Sequence, residues 1–184
     1  MLGILIILTV IALALLRGGS LHNLAAVRLR WLPLVFASLA LQLLIFTPFR
    51  TAPLVGVATP WLYLLSMLML AAWVAANWHI PGMALMAAGL LLNLAAITAN
   101  GGYMPIAPEA THSYGISANY TDDGRHNNSV ALVAGQAYLW LLTDIIVVPF
   151  AGVFSIGDVL LMLGVAICCY RTIQPAPALA PAST

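Results

Sequence analysis

The chain has 184 residues, of which 63% are hydrophobic and only 6% charged, where an ordinary soluble domain carries about 25% charged residues. With a mean hydropathy of +1.04, it lacks the polar residues to cover a water-facing surface, which excludes a soluble enzyme and a disordered chain. The net charge is +1 and every one of the six basic residues is Arg, so no basic stripe for nucleic acid exists. What remains is an all-α, polytopic membrane helix bundle.

A spanning helix needs about 20 mostly apolar residues. The first candidate covers residues 2–18 and is closed by Arg17-Gly18-Gly19. It lacks the basic start and small-residue cleavage site of a secretory signal, so an uncleaved first helix is expected. The second span covers 32–49, with Pro33 in its first turn. The third covers 60–78, with Thr59 as N-cap and Pro60 at the first helical position. Trp61, Tyr63, Trp73 and Trp78 bracket it as interface aromatics. The fourth covers 81–99 and is stopped by Asn100-Gly101-Gly102, residues that tolerate the left-handed conformation of a helix C-cap. Small residues on these helices, Ala71, Ala75, Ala84, Ala88 and Ala95, are expected at the close helix contacts.

Residues 107–128 form a long polar stretch with Glu109, His112, Asp122, Asp123, Arg125 and His126. The segment from Ser129 to Phe150 is apolar but contains Gln136 and Asp144. An Asp at a helix centre costs about 2.5–3.5 kcal/mol on insertion scales, so an interfacial or re-entrant helix around Tyr138–Val148 is expected, with a sixth span as the alternative. The last span covers 155–171, opened by a capping box between Ser155 and Asp158. These segments make one helical domain over 1–171, with an outer-face loop at 100–155 and a Pro/Ala-rich cytoplasmic tail at 172–184.

Five spans with the N-terminus outside place Arg17, Arg28, Arg30 and Arg171 on the cytoplasmic side and Arg50 and Arg125 outside. Six spans would divide them evenly, so the positive-inside rule favours five.

Asp144 leads the polar candidates, because an ionisable residue at membrane depth is a functional-site hypothesis by default. It is expected to face protein, with hydrogen bonds from Asn100, Tyr103, Arg125 or the N–H groups of Gly101 and Gly102. Losing such a partner would make Asp144→Leu cost a few kcal/mol, while Asp158→Asn matters less because Asn still serves a first helical turn. Asn93 and Gln42 are mid-span amides that hydrogen-bond across helices. His22, His79, His112 and His126 do not cluster, so no zinc site is expected; His79 at a membrane edge is a lone candidate haem or pigment ligand. Cys168 and Cys169 read as small apolar core residues. No nucleophile elbow, Walker loop, dinucleotide fingerprint or paired catalytic carboxylate is present, so no enzymatic activity is expected.

Two stretches carry a resemblance. Asn100-Gly101-Gly102-Tyr103-Met104-Pro105-Ile106, taken with Leu139-Trp140-Leu141-Leu142-Thr143-Asp144-Ile145-Ile146 and Val153-Phe154-Ser155-Ile156-Gly157-Asp158-Val159-Leu160, resembles a family of small bacterial multi-span membrane proteins of unknown function. The resemblance implies a helical membrane domain over most of 1–171 and carries no catalytic residue over. The chain departs from the family pattern between Asp144 and Phe154, where Ile145-Ile146-Val147-Val148-Pro149-Phe150-Ala151-Gly152 replaces a stretch richer in proline and glycine.

The expected polar site, for ligand or structure, is Asp144, Asn100, Gly101, Gly102, Tyr103 and Asp158, with no metal. The expected role is a non-enzymatic accessory or assembly subunit of a larger membrane complex, respiratory or photosynthetic for example, in a bacterial inner membrane. The alternative is a binder or carrier of a lipophilic small molecule: a lipid, a quinone or a pigment.

Overall fold

A computed structural model describes residues 2–46, 53–106, 125–126, 129–131 and 137–174. It is mostly helical. Among the described residues the helices are α1 (Leu2–Leu16), α2 (Leu21–Ala25), α3 (Leu32–Phe46), α4 (Pro53–Ala76), α5 (Met83–Ala99) and α6 (Ile156–Ile173). The short strands are β1 (Met104–Ile106), β2 (Arg125–His126), β3 (Ser129–Ala131), β4 (Ile146–Val148) and β5 (Gly152–Phe154). Two helical stretches, Ala58–Ala76 and Ile156–Ile173, are long and apolar enough to cross a membrane, and Leu2–Leu16, Leu32–Ile45 and Met83–Ala99 are shorter apolar helices.

The long helices pack in the order α3, α4, α5, α6, α1. Asn77 fastens one end of this row. It is fully buried; its side-chain oxygen accepts from Arg30 N at 2.8 Å, and its Nδ2 donates to Arg30 O at 2.9 Å and to Trp73 O at 2.8 Å. The end of α4 is thereby tied to the α2–α3 connection. At the same end Ser20 N donates to Ile173 O at 2.9 Å and Gln174 Nε2 to Ala14 O at 3.3 Å, so the C-termini of α1 and α6 lie together. This end therefore carries Arg17, Arg28, Arg30 and Arg171, all exposed.

The tightest contact joins α5 and α6, and glycine makes it. Gly82 faces Gly164 and Gly89 faces Gly157, two antiparallel pairs seven residues apart on each helix. A methyl group on Gly157 would fall against Asn93 Cγ at 2.6 Å and Gly89 O at 2.7 Å, and one on Gly164 against Gly82 O at 2.8 Å. The close packing expected of alanines therefore falls to glycines, and Ala75, Ala84 and Ala95 are exposed. Without a Cβ, backbones approach closely enough for dispersion to act between them.

Thr59-Pro60 does not start the third helix, which begins at Pro53 and has Pro60 inside it. Residue 56, whose carbonyl the ring of Pro60 would crowd, is glycine. The fourth helix starts at Met83 behind Gly82, whose φ of +91° is left-handed. Of the aromatics expected at the interfaces, Trp61 and Trp78 are exposed, whereas Tyr63 is buried and Trp73 half-buried. The segment around Asp144 is neither an interfacial nor a re-entrant helix, nor a sixth span. It is a short 3-10 turn at Trp140–Leu142 followed by an antiparallel hairpin of β4 and β5. The run Ile145-Ile146-Val147-Val148 loses side-chain freedom in a helix and suits a strand, and Pro149 then turns the chain. Ala151 N donates to Val148 O at 3.0 Å, and Phe150 takes the turn position with φ +63° that glycine normally fills.

Candidate functional site

Polar groups gather into two knots at the end of the bundle away from the arginines. The outer knot is built on the C-terminus of α5. Gly102 N donates to Ile97 O at 2.8 Å and Gly101 N to Thr98 O at 3.4 Å, with φ of +89° and +71°; this is the Schellman closure of a helix. Gly102 is packed on Pro60 of α4, with no room for a side chain, while Gly101 faces open space. The Asn100 side chain then pairs with the backbone of Tyr138. Its Nδ2 donates to Tyr138 O at 2.9 Å and to Ala96 O at 2.7 Å, and its Oδ1 accepts from Tyr138 N at 3.0 Å. Asn100 thus clamps the segment leading to Asp144 onto α5. Asn100→Ala should lose three hydrogen bonds at about 1 kcal/mol each, with proteolysis between Tyr138 and Phe154 accelerating before the bundle melts; an unchanged cleavage rate would contradict the clamp.

Asp144 sits just beyond. Its N–H donates to Pro105 O at 3.0 Å, and it forms a parallel bridge with Ile106 of β1. Three of the expected donors do not serve it: both amide hydrogens of Asn100 and the N–H groups of Gly101 and Gly102 are spent elsewhere. Tyr103 is half-buried next to β1. The side chain of Arg125 lies outside the described residues, as do Glu109, His112, Asp122, Asp123 and the side chain of His126. The Asp144 Oδ1 is buried without a hydrogen-bond partner among the described residues. Burial, and secondarily the charge of Asp158, push its carboxyl up to about 8.

The inner knot joins α5 to α6 and holds Asp158. Ser155, fully buried, caps α6 by accepting from Asp158 N at 2.9 Å, while the Asp158 carboxylate accepts from Ser155 N at 3.1 Å; this is the capping box legible in the sequence. Asn93 completes a ring, donating to Asp158 Oδ1 at 2.8 Å and accepting from Ser155 Oγ at 2.8 Å. Asp144 and Asp158, grouped together by sequence, therefore belong to separate knots that sense each other through charge.

Beneath the inner knot a cavity of about 240 Å³ lies among α3, α4, α5 and α6. Asp158, Asn93 and Gln42 supply its polar wall, and Tyr63, Met67 and Trp73 are among its apolar ones. Gln42 Nε2 donates to Ser66 Oγ at 3.3 Å, and Ser38 Oγ to Ser66 O at 2.9 Å, holding α3 to α4 on that side. Trp73 has a buried indole Nε1 with no acceptor among the described residues. In the sequence Gln42 and Asn93 read as packing amides, and Tyr63 and Trp73 as belt aromatics. What unites them is the single cavity they line.

His22 and His79 are exposed near the arginine-bearing end, and Cys168 and Cys169 are free thiols on α6. Among the described residues no group of three or more His, Cys, Asp or Glu side chains is placed to hold a metal.

The profile of a family described as Family of unknown function (DUF5317) matches residues 26–170, and the chain belongs to that family. No curated protein and no solved structure matches it.

Proposed function

We propose that this is a five-span integral membrane protein, non-enzymatic, that holds a lipophilic small molecule with a polar group in the cavity beneath Asp158. The observation that carries the reading is the cavity itself: amides and a carboxylate converge on apolar walls inside a bundle, the composition of a pocket for a small ligand. A ring-sized head group fits about 240 Å³, and a tail would leave between the helices. Hydrogen-bond acceptors on the ligand would also answer the indole of Trp73. Lipid, quinone and pigment meet that description.

The test is mass spectrometry of the protein purified in mild detergent. One lipophilic molecule per chain is expected, with occupancy falling at least tenfold in Gln42→Leu, which removes a polar wall group, and in Leu70→Trp, which fills the space. A wild-type protein free of any such molecule would sink the proposal.

The placement follows the charges. With Arg17, Arg28, Arg30 and Arg171 at one end, that end faces the cytoplasm of a bacterial inner membrane and the N-terminus of α1 faces outside. A reporter enzyme that works only in the cytoplasm should be active when fused after Thr184; activity of a strictly extracytoplasmic reporter there would reverse the orientation.

A second reading, an accessory or assembly subunit of a larger respiratory or photosynthetic complex, is supported by the outer end. Tyr138, Leu139, Trp140, Leu141, Val147 and Phe150 are exposed there, Phe150 completely. A left-handed Phe at a hairpin tip is an expense in backbone strain that contact with a partner subunit would offset.

A further inference from the structure

A second concavity lies on the opposite flank, between α1 and α6, and its chemistry differs from that of the central cavity. Val10 and Leu13 from α1 face Leu163, Ala166 and Ile167 from α6 across a groove of about 240 Å³. Its sides are open to the surroundings, with Leu13 and Leu163 each 48% exposed. The groove runs from Val10 to the level of Arg17, about 10 Å at 1.5 Å per residue. At that end the lining changes to Tyr170 and Arg171, and Arg17 reaches across from α1. Arg17 Nη1 donates to the Tyr170 hydroxyl at 2.6 Å, and the guanidinium carbon stands 5.8 Å from the ring centroid.

Among the described residues this end has no acidic side chain to neutralise it. The sequence contains no Asp or Glu before Glu109 or after Asp158, so α1 to α5 have none and α6 has only Asp158, in its first turn at the far end. Arg17 and Arg171 are both exposed. A guanidinium carries five N–H donors, and the bond to Tyr170 engages one of them. The tyrosine hydroxyl, accepting from Arg17, keeps its own hydrogen to donate. An apolar trough closed at one end by two cations and a phenol complements an amphiphile with an anionic head.

We propose that the groove between α1 and α6 binds an anionic phospholipid, its acyl chain along Leu13, Leu163 and Ile167 and its phosphate held by Arg17, Arg171 and the hydroxyl of Tyr170. Guanidinium groups suit a phosphate because two parallel N–H donors match two of its oxygens. The site rests on the membrane reading but is independent of the central cavity. It also fits the orientation inferred above, because the cytoplasmic leaflet carries the anionic lipids and attracts basic residues at its surface.

The experiment uses the full chain, delipidated in dodecyl maltoside, with thermal unfolding followed as lipid is added. Phosphatidylglycerol should raise the melting temperature; phosphatidylcholine with the same chains, and inorganic phosphate, should not. The double variant Arg17→Gln/Arg171→Gln should bind phosphatidylglycerol about 30-fold more weakly, at roughly 1 kcal/mol per arginine near a membrane surface. Leu163→Trp, which fills the trough and keeps both arginines, should weaken it as well, and it stands as the test if the double variant does not fold. Equal responses to the two lipids, an equal response to inorganic phosphate, or full phosphatidylglycerol binding by Leu163→Trp would each overturn the site. Carbonate washing of the membranes separates the two levels: release of the wild-type chain overturns the membrane reading along with the site, whereas retention without lipid discrimination overturns the site alone.

Discussion

Gly157→Ala should destabilise the protein by about 3 kcal/mol or more, from the addition of one methyl group. The methyl would meet Asn93 Cγ at 2.6 Å and Gly89 O at 2.7 Å, well inside contact distance, and neither can retreat. Gly89 O belongs to the backbone of α5, and Asn93 is fixed by hydrogen bonds to Asp158 and Ser155. Relief would require α6 to move off α5, breaking the inner knot and spoiling the Gly82–Gly164 contact further along. Gly3→Ala is the control. Its added carbon would lie 3.7 Å from Met162 Sδ, ordinary contact, and alanine is favoured over glycine in a helix by about 0.8–1 kcal/mol. Unfolding in mixed micelles by titration with dodecyl sulfate should separate the two variants in opposite directions. A Gly157→Ala protein as stable as wild type would show that the α5–α6 seam is looser than described.

That seam also shows what the sequence discloses and what it hides. Long apolar runs announce helices, and the segments near 2–18, 32–49, 60–78, 81–99 and 155–171 each contain a long helix that the structure describes wholly or in part. Local polar chemistry was equally legible: the Ser155–Asp158 box and the Asn100-Gly101-Gly102 stop depend on neighbours within a few residues. Contacts between helices depend on which faces meet, and hydropathy does not encode that when all faces are apolar. Alanines therefore looked as good as glycines, although the seven-residue spacing of Gly82 with Gly89 and Gly157 with Gly164 was present to be read. The hairpin at β4–β5 was missed for a related reason. Apolar length argued for a helix, while the β-branched run Ile145-Ile146-Val147-Val148 and Pro149 argued for a strand and a turn, and the local preference won. The central cavity was least legible of all, because Gln42, Trp73, Asn93 and Asp158 come from four helices and share only the cavity they line.

Asp144 should make the protein less stable as the pH rises from about 4 to about 8, and Asp144→Asn should abolish that loss. In the folded protein the carboxyl is held protonated up to about 8 by burial and by the neighbouring charge of Asp158. In the unfolded chain it releases its proton near 3.9. Between those values the folded state binds a proton that the unfolded state has given up, so stability falls as pH rises through the window and levels off above it. Four pH units at 1.36 kcal/mol each set the scale at about 5 kcal/mol. The Asn side chain cannot ionise, so the variant should match wild type near pH 4 and exceed it by several kcal/mol at pH 9. Unfolding in micelles at both pH values measures this, and a wild type equally stable at the two, or a fall that persists in the variant, would refute it. The raised proton affinity of Asp144 also changes the expected effect of Asp144→Leu. The sequence alone suggests a cost of a few kcal/mol from donors left unpaired, but Oδ1 accepts from none among the described residues, so no such penalty arises at that oxygen. Asp158→Asn acts the other way: it withdraws the charge that helps hold the Asp144 proton and weakens the ring with Asn93 and Ser155, so it should shift the upper edge of the window to lower pH while costing stability on both sides of it.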